Sequence, residues 1–149
     1  MRRSDIIIAE EILGEYPAIC KSLKEREEFL ESGGNPSESE RVQGGEKIPV
    51  QDRVVHRKRK DEVFQELSLI VETIRTAYNA LSPELQDIVD RVFWECESLE
   101  EIVSELKDSS INIKVRRLRA VSQMHRACGE VYREVRRWRD REEKMAVGF

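Results

Sequence analysis

Leu81-Ser82-Pro83-Glu84-Leu85-Gln86-Asp87-Ile88-Val89-Asp90-Arg91-Val92-Phe93-Trp94-Glu95, followed after two residues by Ser98-Leu99-Glu100-Glu101-Ile102-Val103-Ser104-Glu105-Leu106, contains two helix starts of the same design. Ser82 can cap a helix, with Pro83 at a first position that needs no N–H and Glu84 near the positive end of the helix dipole. Ser98 lies three residues before Glu101, the capping-box spacing. The first start predicts a helix from Pro83 to about Glu95 that buries Leu85, Ile88, Val89, Val92 and either Phe93 or Trp94. The second predicts a short helix over 99–106 with Leu99, Ile102, Val103 and Leu106 on one face. Lys107-Asp108-Ser109-Ser110 then breaks the chain, and a last helix begins near Ile111 and continues to Lys144, with Gly129 its weak point. Three helices with a tight Ser/Asp turn between the last two is a helix-turn-helix layout, which places the first half of its final helix in the DNA major groove.

Upstream, Val63, Phe64, Leu67, Ile70, Val71, Ile74, Tyr78 and Leu81 recur in steps of three and four, predicting a long helix from about Pro49 to Ala80. It opens with a basic cluster, Arg53, Arg57, Lys58, Arg59 and Lys60, around His56. Further upstream, Ser4–Glu31 reads as two helices broken at Tyr16-Pro17, because proline suits the first turn of a helix. Ser32-Gly33-Gly34-Asn35-Pro36 stops the second, and the polar stretch beyond it reads as a linker. The expected organisation is a helical segment over 1–31, a flexible linker over 32–48, and a helical domain over 49–149 with its helix-turn-helix at about 83–127.

Composition agrees with an all-α class. Of 149 residues, 38% are charged, against about a quarter in an average soluble domain, and 7 glycines and 4 prolines leave few turns. The hydrophobic 39% suffices for a modest core. No apolar run approaches the roughly 18–20 residues that span a bilayer, so no membrane is expected. Cys20, Cys96 and Cys128 are far apart and lack metal-site spacing; they read as buried thiols of a reducing, cytoplasmic compartment. Charge is segregated: residues 84–106 hold one arginine against eight acids, whereas residues 107–141 hold eleven Lys/Arg against four acids. Anion affinity follows the local field rather than the net charge of −4, so the basic end is where an anionic partner should dock.

These residues resemble a known pattern. The Leu81-Ser82-Pro83-Glu84 helix followed by Ser98-Leu99-Glu100-Glu101-Ile102 is similar to the start of region 4 of sigma-70-type factors, although Lys107 stands where that pattern usually has glycine. The Phe64–Tyr78 helix running into Leu81-Ser82-Pro83, together with Tyr16-Pro17, further resembles RinA/ArpU-type phage transcriptional activators. The resemblance covers residues 60–127 and is weak over 1–50. It implies a sequence-specific activator of phage or prophage late or packaging genes in the cytoplasm of a bacterial host. It also implies a helical arm, a linker and a long helix feeding a sigma region 4-like helix-turn-helix with an extended last helix. The implied partners are double-stranded DNA and, as a second candidate, RNA polymerase. A small terminase-like packaging component and a protein-only helical adaptor are the alternative readings.

At about 100° per residue, Ile111, Val115, Leu118, Val121 and His125 share one face of the last helix, the expected core face. The opposite face holds Asn112, Ile113, Arg116, Ala120 and Gln123, with Arg119 and Arg126 at its edge and Lys114 and Arg117 on its flanks. Arginine can contact guanine, and Asn or Gln adenine, in bidentate fashion. The candidate DNA-contacting set is therefore Asn112, Lys114, Arg116, Arg117, Arg119, Gln123 and Arg126, with Arg116 and Gln123 expected at base edges. Arg53, Arg57, Lys58, Arg59 and Lys60 are candidates for phosphate contact or for keeping a helix start solvated. Val121, Met124, Cys128, Val131, Val135 and Trp138 form a seam in steps of 3, 4, 3, 4 and 3. The seam suits either packing against the 63–81 helix or a homodimer.

No chemistry beyond binding is written in the chain. His125 lies on the expected core face with no metal-ligand spacing around it. Gly44-Gly45-Glu46-Lys47 lacks the spacing and the Ser/Thr of a phosphate loop. Neither a catalytic residue, nor a metal, nor a cofactor is expected.

Overall fold

A computed structural model describes residues 2–33 and 50–146, and every described element is helical. The order is α1 (Arg3–Glu31), α2 (Val50–Lys60), α3 (Glu62–Asn79), α4 (Pro83–Val89), a π-helical turn (Asp90–Trp94), α5 (Leu99–Leu106) and α6 (Ser110–Ala146). Most of the expected linker lies outside the described residues. No helix of the described residues is long and apolar enough to cross a membrane.

One core gathers α1, α3, the α4 region and α6 from Ala120 to Trp138. It contains Ile12, Leu13 and Ile19 from α1, Leu67, Ile70 and Ile74 from α3, Leu85 and Val89 from α4, and Val121, Met124, Cys128, Val131, Val135 and Trp138 from α6. The 1–31 segment is thus a wall of this core rather than a separate arm. The α6 seam is consumed inside the chain, each of its six residues being 6% exposed or less. Of the two roles open to it, intramolecular packing is the one realised, and α1 shares it with α3. Those residues present no surface for a homodimer.

Three helix boundaries differ from expectation. Helix α1 runs unbroken through Pro17. Proline cannot donate to the carbonyl four residues earlier, and that carbonyl, Leu13 O, instead accepts the indole N–H of Trp94 at 3.0 Å. The expected 49–80 helix is divided at Asp61, whose extended backbone ends α2 and whose carboxylate caps α3 by accepting Phe64 N–H at 2.7 Å. The expected 83–95 helix is α-helical only to Val89 before the wider turn. That turn buries Phe93 while Trp94 stacks on Tyr16 and packs at a tilt against Tyr78, with ring centroids 5.1 and 4.8 Å apart.

The basic cluster of α2 is partly spent on α1. Lys58 Nζ reaches Glu27 and Glu31 at 3.0 and 3.1 Å, and Arg57 donates to the Leu30 carbonyl. Arg26 holds Asp61 from α1. Burial pushes the Asp61 carboxyl up, but Arg26 and the Phe64 N–H outweigh it and hold the group below the usual carboxylate range. Arg53 is half-buried, and Arg59 and Lys60 are exposed. Cys128 is buried and Cys20 partly so, but Cys96, expected to be buried, is exposed just past the π-helical turn with a left-handed backbone (φ 55°).

Candidate nucleic-acid interface

Helices α4, α5 and the first turn of α6 meet in a small second core built from one isoleucine each, Ile88, Ile102 and Ile113, with Val92, Val103 and Leu106 packed around them. The local sequence builds this unit as expected at its first three corners. Ser82 Oγ accepts Leu85 N–H, Ser98 Oγ accepts Glu101 N–H, and α5 ends at Leu106. The turn then reverses because Lys107 adopts the left-handed conformation, φ 52° and ψ 44°, which glycine adopts at least cost.

Asp108 organises the entry to α6. Its carboxylate accepts the Ser109 N–H and the Asn112 side-chain N–H, both at 2.8 Å, and receives Arg116 Nη2 at 2.8 Å. Ser109 Oγ in turn accepts Asn112 N–H. The Asn112 and Ser109 donors, aided by Arg116, hold the Asp108 carboxyl below its ordinary range. Arg116 also meets Glu84 at 2.7 Å, tying the first turn of α4 to the second turn of α6. On the other side, Arg91 binds Asp87, Glu97 and Glu105, locking α5 onto the π-helical turn. The acidic 84–106 block is therefore only in part a solvated face; four of its acids clamp this unit.

The α6 face is turned relative to expectation. Ile113 and Ala120, expected to face outward, are 1% and 0% exposed. Ile111, Val115 and Leu118, expected in the core, are 71%, 42% and 50% exposed. Val121 is buried as expected, and His125 is half-buried with Nε2 4.0 Å from Asp5. The seam explains the turn. Extended backward through one rigid helix from Met124, its steps of four and three reach Ala120, Arg117 and Ile113, and residues 111, 115 and 118 must then face away. The long seam from Val121 to Trp138 fixes the face of the turns before it.

The candidate contact residues consequently divide. Arg116, expected at the centre of the outward face, is half-buried between Glu84 and Asp108. Arg117 pairs with Glu10 at 3.0 Å and lies over the Phe93 ring. Asn112, Lys114, Arg119, Gln123 and Arg126 are exposed. Among the described residues, Lys114, Arg119 and Arg126 have no acid partner, and exposed Arg133, Arg136 and Arg137 continue the unpaired charge along α6. Arg139 and Arg141 are instead held by Glu11 and Glu66.

Among the described residues, no cluster of three His, Cys, Asp or Glu side chains is arranged to hold a metal ion. The chain matches no protein-family model, and neither a curated protein nor a solved structure is significantly similar to it.

Proposed function

We propose that the chain is a sequence-specific DNA-binding protein in which α4, α5 and α6 act as a helix-turn-helix and the first half of α6 enters the major groove. The observation that carries this reading is the Ile88–Ile102–Ile113 core with an outward α6 face whose cations are unpaired. A small core of this kind fixes α6 against α5, while Arg91 and Arg116 hold the unit with charge drawn from the acidic block. The cations left over, Lys114, Arg119 and Arg126, are free to replace phosphate counterions. Arg116 and Arg117 serve as braces that set the angle of α6, and the groove is met by Asn112, Lys114, Arg119, Gln123 and Arg126.

The resemblance to sigma region 4 and to RinA/ArpU-type activators extends the proposal to transcription activation of phage or prophage genes, with RNA polymerase as the further partner. Selection of bound duplexes from a random pool tests the DNA reading. A shared short motif whose affinity falls steeply with salt supports it. Recovery of no enriched sequence, with no salt-dependent retention of any duplex, rejects it.

A further inference from the structure

The face of α6 that turns away from both cores is apolar at its centre. Ile111, Val115 and Leu118, with Ser122 one turn on, lie within about 60° of one another around the helix axis, at about 100° per residue. The three aliphatic side chains are 71%, 42% and 50% exposed, in a chain that buries Ile113 and Ala120 from the same turns. Lys114 borders this strip on one side, and Arg119 and Arg126 border it on the other; all three are exposed and without acid partners among the described residues.

We infer that Ile111, Val115 and Leu118 read the 5-methyl groups of thymines in the major groove, so that the preferred DNA site carries thymines under the first two turns of α6. The inference rests on the DNA-binding reading above and names what that site recognises. An apolar strip between two cationic rims matches the floor of a major groove, where thymine alone presents a methyl group, between two phosphate strands. Charge complementarity commits the strip to DNA. Three aliphatic side chains are also few beside the roughly 20–30 residues a side of a standard protein interface. Gln123, exposed on the Arg119 side, can contact adenine N6 and N7, the partner edge of such a base pair.

The test removes only the methyl groups. A duplex selected from a random pool by the full chain is synthesised twice, once with thymine and once with deoxyuridine at every thymine, and both affinities are measured at the same salt. Burial of one methyl is equivalent to about fourfold in affinity, so the uracil duplex should bind about tenfold or more weakly if two or three methyls are read. Val115→Ser combined with Leu118→Ser should weaken binding to the thymine duplex and erase its advantage over uracil, while unfolding stays unchanged. Equal affinity for the two duplexes, with salt-dependent DNA binding intact, overturns methyl reading and leaves the DNA reading standing. Absence of salt-dependent binding to any duplex removes both.

Discussion

The indole N–H of Trp94 donates to the Leu13 carbonyl at 3.0 Å, the acceptor that Pro17 leaves without its helical donor. A residue 81 positions away thereby repairs the backbone of α1 at the point where the local sequence calls for a break. The same contact fastens the π-helical turn, and so the connection between α4 and α5, to the main core.

This relationship predicts a coupling. Trp94→Phe keeps a ring but strips the donor from a buried carbonyl, which should cost about 1–3 kcal/mol. In a Pro17→Ala background the alanine N–H takes the carbonyl, and the same change should cost about 1 kcal/mol less. Urea unfolding of the four proteins measures the difference. Equal costs in both backgrounds would show that Trp94 acts only by packing.

The turn of α6 makes a second prediction, readable without DNA. Ile113→Ala should lose about 2–5 kcal/mol of stability, as buried isoleucines do. Val115→Ala and Leu118→Ala should stay within about 0.5 kcal/mol of the parent. Large losses at Val115 and Leu118 with little at Ile113 would restore the orientation expected from sequence.

What was legible in sequence and what was not divide along physical lines. The Ser82 and Ser98 caps and the end of α5 at Leu106 depend on residues within one turn, and local chemistry sufficed to place them. The heptad seam of α6 was legible too, because burial on one face demands that period. Continuity through Pro17 was not, since it depends on a hydrogen bond from Trp94. Nor was the break at Asp61, whose cap is held by Arg26 from α1. The orientation of the first half of α6 is not legible locally, because both of its faces carry aliphatic residues and only the long helix beyond decides between them. Sequence places Arg116 at a base edge because its acids, Glu84 and Asp108, belong to another helix and to a turn.

Gly129 offers a stabilising change. It lies inside α6, and a Cβ added there meets nothing within 4 Å. Gly129→Ala should raise stability by about 0.5–1 kcal/mol through reduced backbone freedom in the unfolded chain. Thermal or urea unfolding checks it, and a loss would mean that the α6 surface at 129 is covered.

Alkaline pH should unlock the aromatic junction. Burial, reinforced by the bond to Asp90, pushes the Tyr78 hydroxyl up to about 12 from 10. A raised folded-state pKa means that the contribution is fully present below about pH 10 and is lost as pH rises toward 12. Stability measured from pH 9 to 12 should fall across that window, and Tyr78→Phe should flatten the fall. An unchanged profile in Tyr78→Phe would assign the loss to other groups.

That the outward face of α6 meets DNA is tested most directly by the salt dependence of affinity. The slope of log affinity against log salt is to be compared for the parent chain and for Lys114→Ala/Arg119→Ala/Arg126→Ala, on one selected duplex. The parent should show a steep negative slope, and the variant a slope smaller by about 0.9 for each cation that neutralises a phosphate, with unfolding unchanged because all three are exposed. A parent chain with no salt-dependent affinity, or a variant whose slope matches the parent's, would contradict it.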